Sequence, residues 1–192
     1  MKPASQLNLG CGQFPRDGWL NLDCDPNAKA DVFHNLDEFP WPFADGEFET
    51  VFASHVLEHT SDPFAVMKEI HRILEPGGRA IIKVPHFSRG FTHPDHKRGF
   101  DVSFPMYFDP EFEGGFSGTM FELSRTRLKW FAQPWLKKKS LGPLSYAFGR
   151  VFGAGVDLFA NLSPFAASRL WGYWIGGFEE VEFDLIKQKA AK

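Results

Sequence analysis

The sequence predicts an α/β domain on a mostly parallel sheet, because short apolar strand runs alternate with an amphipathic helix along its first half. Strand patterns fall at Gln6–Leu9, Trp19–Leu22, Asp31–Phe33, Thr50–Ala53 and Ala80–Val84, with turn residues between them. After Ser61, with Pro63 in the first turn, Val66, Met67, Ile70, Ile73 and Leu74 share one helical face, and Glu75-Pro76-Gly77-Gly78 ends the run. With 192 residues the chain can bury one substantial core but not two, so a single domain is expected over 1–192.

The first strand breaks into Gly10-Cys11-Gly12 and the second ends on Asp23. Glycines there let backbone approach a ligand closely, and a carboxylate at the next strand tip suits a ribose diol, so a nucleoside cofactor is expected. A dinucleotide fingerprint would place a third glycine where Pro15 stands and its acidic residue about twenty positions on. Here Asp23 follows Gly10 by only thirteen, which argues against a nicotinamide oxidoreductase. The link Gly10–Gly18 is also shorter than the dozen or so residues a parallel crossover usually takes, so the first helix is expected to be a turn or two, or absent.

In family order, LNLGCG, Asp23, FPWPFADGEFETVFASHVLEH and LEPGGRAIIKVP resemble the class I S-adenosylmethionine-dependent methyltransferases over roughly residues 5 to 87. The resemblance implies a seven-stranded Rossmann-like sheet with an antiparallel last strand, to which this sequence's own spacing adds a shortened first helix and a C-terminal helical insertion. It divides the domain into a cofactor-binding half, 1–87, and a half at 88–192 holding the substrate loop, insertion and closing strands. No extra N-terminal helix is expected ahead of Lys2. The implied cofactor is S-adenosylmethionine, with Gly10, Cys11 and Gly12 under its methionine portion and Asp23 on the ribose. Asn35 and Leu36 border the adenine in this reading, and Ser54 and His55 the sulfonium end. A non-catalytic S-adenosylmethionine-binding protein on the same fold is the alternative.

Histidines gather at or beyond strand ends: His55, His59, His86, His93 and His96. If the acceptor is an alcohol its proton must leave, so His55 and His86 are the candidate bases; a carboxylate or phenolate acceptor needs none. His93-Pro94-Asp95-His96-Lys97-Arg98 resembles a "DPxHxR" loop of relatives associated with surface-polysaccharide gene sets, with His93 where they commonly have Asp. His93, Asp95, His96, Lys97 and Arg98 are therefore expected to bind the acceptor, a small molecule or glycan, the two cations suiting an anionic one. His86, His93, Asp95 and His96 could ligate a divalent ion, but no motif of defined spacing is present and no metal is expected.

The alternating segments Met120–Trp130 and Val181–Lys187 are expected to close the sheet as an antiparallel pair. Between them, in Pro134–Gly177, Leu144, Phe148, Val151, Phe152, Gly155, Leu158, Phe159 and Leu162 recur at helical spacing, interrupted by glycines. This insertion is expected to pack over the substrate side. Trp130, Trp135, Lys137, Lys138, Lys139, Trp171 and Trp174 also suit peripheral contact with an anionic membrane. A formal charge of −3 argues against a nucleic-acid partner. Two cysteines, Cys11 and Cys24, are too few for a disulfide scaffold, and neither a signal-peptide core nor eighteen consecutive apolar residues occurs. A cytoplasmic location is expected.

Overall fold

The computed structural model describes residues 5–89 and 93–188. Positions 90–92 of the aromatic stretch after the fifth strand lie outside the described residues, as do Met1 to Ala4. Seven strands form one sheet in the order β3-β2-β1-β4-β5-β7-β6. β1 (Gln6–Leu9), β2 (Leu20–Asp23), β3 (Val32–Phe33), β4 (Phe48–Ser54) and β5 (Leu74–Pro85) run parallel, as expected. β7 (Glu180–Lys187) lies antiparallel to both β5 and β6 (Phe121–Lys129).

One helix, α1 (Pro63–Ile73), covers one face of the sheet. Asp62 caps it, accepting from the Phe64 and Ala65 N–H groups, and Pro63 supplies the fixed φ of a first turn. Val66, Met67, Ile70 and Ile73 are buried, packing into the same core as Leu7, Leu9, Val51 and Ala53 from the strands. Glu69, also buried, accepts from the Trp41 N–H at 2.7 Å and pairs with Arg72 at 2.6 Å. Arg72 in turn donates to the carbonyls of Trp41 and Phe43, so a buried charge clamps the loop leading into β4.

Between β1 and β2 the described residues contain no helix. The opposite face of the sheet there is polar: Asn8 and Asn21 sit side by side in register and hydrogen-bond at 3.0 Å. Asn21 also accepts from the Arg16 N–H and donates to the Arg16 carbonyl and to Asp31, so the short link is tied directly to the strands. Arg16 lies 3.6 Å over the Phe52 ring, a cation–π contact that covers β4 where a crossover helix would otherwise pack.

The insertion folds as α2 (Pro134–Lys137), α3 (Pro143–Ala160) and α4 (Pro164–Ala166), the last continuing into single turns up to Ile175. Here the structure corrects the expectation from helical spacing. Leu144, Phe148, Val151, Phe152, Leu158, Phe159 and Leu162 point outward, and the inward residues of α3 are Gly149, Gly153 and Ala160. A Cβ at Gly149 would meet the Phe131 ring at 3.0 Å, and one at Gly153 would meet Phe131 Cβ at 2.9 Å, so the glycines set the approach of the helix. Asp157 accepts from the Trp130 N–H, and Asn161 both accepts from and donates to the backbone of Leu128. These contacts satisfy the last backbone groups on the free edge of β6, the outermost strand.

Replacing Gly153 with Leu should lower unfolding free energy by about 1–3 kcal/mol through overpacking against Phe131, whereas Leu158→Ser should change it by less than about 0.5 kcal/mol. Urea titration of both variants checks this pair.

Candidate active site

The glycine turn and Asp23 meet at the carboxyl ends of β1 and β2. Gly10 has φ +60°, and a Cβ on it would lie 2.4 Å from Val56 Cγ2, so only glycine fits this tight bend. Gly12 has φ +49° with open space above it. Asp23 Oδ2 accepts from the Gly12 N–H at 2.8 Å and Oδ1 from the Asp25 N–H at 2.9 Å. Each oxygen keeps a lone pair, and the carboxylate is held half-buried at the strand tip. Cys11 is buried beside it, its thiol pKa pushed up first by burial and then by Asp23.

Two cavities open on this side of the molecule. The first, about 550 Å³, runs from Gly10, Cys11 and Ser54 along the polar face of the sheet to α3. Its wall carries Arg16, Lys83, Lys129 and Arg150 beside Asp157 and Glu180. Lys83 pairs with Glu182 and Lys129 with Asp157, while Arg16 and Arg150 form no ion pair among the described residues. The second cavity, about 430 Å³, shares Ala132, Gln133 and Leu136 with the first and is lined by His55, His59, His93, His96 and Arg89.

His55 and Glu180 link the cavities. His55 adopts φ +56°, a strained conformation that sets its ring between two carboxylates, 2.9 Å from Glu180 and 3.2 Å from Glu58. Burial would lower its pKa, but the hydrogen bond to Glu180, then the contact with Glu58, and the charge of both outweigh this and hold it at about 9. As an imidazolium at neutral pH it cannot accept an acceptor's proton. His86 departs further from the expected base: it is 1% exposed, lines neither cavity, and joins Ser88 at 2.7 Å to Ser168 at 2.8 Å. Burial drives its pKa down to about 4, with Arg169 lowering and Asp101 opposing.

The remaining expected residues divide. His93 and His96 line the second cavity. Asp95 is exposed and lines neither cavity; its N–H donates to His93 Nδ1. Lys97 reaches Ser61 Oγ, and Arg98 donates to the carbonyls of Thr60 and Ser61, so both tie the loop to the start of α1 instead of facing the cavity. Asn35 closes a local turn with Asp37 and Glu38, and Leu36 is buried in the core; neither lines the cavities. Sequence reasoning missed Arg16, Glu58, Arg150 and Glu180. The signal for Glu180 was available as an acidic pair, Glu179-Glu180, ahead of an apolar strand.

The strand order, the glycine turn at β1 and the acidic tip of β2 agree with the comparisons. The fold is that of class I S-adenosylmethionine-dependent methyltransferases. A family model described as a methyltransferase domain matches residues 22–82. Demethylmenaquinone methyltransferase of Lactococcus lactis is 33% identical over 90 residues, 46% of this chain and 32% of that protein. The chain thus spans about a third or less of the length of the curated relatives it matches. A crystal structure described as that of a putative methyltransferase from Bacillus halodurans superposes with a TM-score of 0.56 at 14% identity, covering 98% of this chain and 94% of that one. The [4+2]-cyclase SpnF superposes at 0.58 and 14% identity, over 98% and 76%. A methyltransferase fold thus also carries other chemistry, and the site has to name the reaction.

Between pH 6.5 and about 4 an unfolded His86 binds protons that the folded one excludes, so stability should fall as pH drops through that window, by up to about 3 kcal/mol. His86→Gln should flatten this slope in urea titrations at pH 4 to 7.

Proposed function

We propose that the chain binds S-adenosylmethionine and transfers its methyl group to an anionic small-molecule or saccharide acceptor, at a hydroxyl or carboxylate oxygen. The Asp23 carboxylate, oriented by the Gly12 N–H beside a turn that admits only glycine at Gly10, carries this reading. It leaves lone pairs for two ribose hydroxyls, and the open space above Gly12 leaves room for a close ligand. When bound, S-adenosylmethionine supplies a methyl already activated on a sulfonium, so the chain's main task is alignment.

Ser54 at the end of β4 marks where the first cavity meets the cofactor side, and the cavity's length beyond it suits the acceptor. Arg16 and Arg150, without carboxylate partners among the described residues, favour a uronate or phosphate-linked acceptor there. The first cavity's described wall carries no histidine. Glu180, hydrogen-bonded to His55, is then the carboxylate placed to take a hydroxyl proton. The resemblance of the His93–Arg98 loop to relatives of surface-polysaccharide gene sets supports a glycan as the acceptor.

The apolar outer face of α3, with Leu144 87% and Val151 76% exposed and Lys138 and Lys139 beside it in sequence, supports reversible contact of a cytoplasmic enzyme with an anionic membrane. No described helix is long and apolar enough to cross a membrane.

Asp23→Ala should weaken S-adenosylhomocysteine binding at least about tenfold, since two charge-assisted hydrogen bonds are lost; titration calorimetry on the folded variant measures it. Unchanged affinity would remove Asp23 from the site. In a vesicle cosedimentation assay the chain should partition onto anionic phospholipid and less onto zwitterionic phospholipid. Phe148→Ser with Leu158→Ser should reduce that binding at least about tenfold.

A further inference from the structure

Glu58 is the least satisfied polar group in the described structure. It is wholly buried, and neither carboxylate oxygen makes a hydrogen bond among the described residues. The His55 imidazolium faces this charge, but both oxygens keep lone pairs that a further cation could fill. His55 Nδ1 lies at 3.2 Å and His96 Nε2 at 3.7 Å. The donor atoms of Glu58, His59 and His96 all lie within 4.8 Å of one another.

We propose that Glu58, His59 and His96 form a binding site for a divalent first-row transition-metal ion, opening on the second cavity. One carboxylate and two imidazoles are the donor set that zinc and ferrous iron take from proteins, with remaining positions left to water or a ligand oxygen. Bonds of about 2.0–2.2 Å in a tetrahedral site put donors roughly 3.3–3.6 Å apart. The Glu58–His96 separation is already close to that, and His59, exposed on the cavity wall, has a ring nitrogen within 4.8 Å of both.

The scaffold is built to hold these groups. Glu58 and His59 lie on the hydrogen-bonded turn after β4, where the His59 N–H donates to the Val56 carbonyl. The Lys97 N–H donates to the Glu58 carbonyl, which fixes the loop carrying His96 against that turn. His93 stacks on His96 with ring centroids 4.9 Å apart, and its Nδ1 accepts from the Asp95 N–H, so it supports the ligand ring without ligating. Sequence spacing pointed away from a metal because the donors come from two segments that only the fold brings together.

The test is a zinc titration by calorimetry of the full chain after chelator treatment, with metal content measured by mass spectrometry. One zinc ion per chain is expected. Glu58→Gln and His59→Ala should each weaken binding at least about tenfold, and His93→Ala less than about threefold. Cobalt in place of zinc should give visible ligand-field bands without a thiolate charge-transfer band, which separates this site from Cys11 and Cys24. If Glu58→Gln fails to fold by circular dichroism, the exposed His59→Ala and the loop variant His96→Ala decide the matter. Absence of binding, native affinity in His59→Ala, or a thiolate band would each overturn the proposal. Because the readout is metal binding, its outcome is independent of the Asp23 test of methyl transfer.

Discussion

The short link Gly10–Gly18 is the constraint on which the rest of this structure depends. A parallel β-α-β unit normally buries one face of its sheet under the crossover helix, and this link holds no such helix. The strands respond in composition: Asn8 and Asn21 occupy positions where an apolar pair would face a helix, and they bond to each other, to Asp31 and to the backbone of the link. Arg16 and Trp19 close over Phe52 from the edge. What remains open is the polar strip from Asn8 through Ser54 to Lys83 and Glu180, and that strip is the floor of the first cavity.

Charge on the cavity side is distributed by the same logic. Strand residues that would be apolar under a helix are ionic here, and each is given a partner across the sheet: Lys83 with Glu182, Arg79 with Asp184, His55 with Glu180. The partners come from β7, whose antiparallel pairing with β5 sets Lys83 opposite Glu182 and Pro85 opposite Glu180. Removing one member of such a partly buried pair leaves the other's charge poorly solvated, so each pair stands or falls together. Glu58 stands apart because it is wholly buried and shares the His55 ring with Glu180, with His96 3.7 Å away.

The strand pattern, the capped helix, the glycine turn and Asp23 were all legible in the sequence, because each rests on local rules: period-two alternation, an N-cap followed by proline, and a bend that excludes a side chain. β1 falls at its expected bounds, while the other strands are displaced by a residue or more at one end at least, most at β5, which begins at Leu74 instead of Ala80. The cavity walls were not legible. Arg16, Arg150 and Glu180 meet only because the link, α3 and β7 converge, and no spacing rule reports convergence. His55 and His86 occupy the strand ends expected of them, yet their protonation is decided by what the fold packs around them, the Glu180 contact for one and burial for the other.

α3 shows why helical periodicity alone pointed to the wrong face. A helix that docks on a sheet face buries its apolar stripe, but α3 docks on the edge strand β6, whose unpaired backbone groups need polar partners. Asp157 and Asn161 supply them, and Gly149 and Gly153 let the helix come close enough to do so. Polar and small residues therefore take the inner face and the apolar stripe is left outward. The consequence reaches the cavity, because Arg150, Gly153 and Asp157 form its wall on this same helix. α3 is held by a few hydrogen bonds and ring contacts, with little apolar burial of its own. Arg150, Gly153 and Asp157 thus build that wall from a helix whose hold on the sheet is mainly polar.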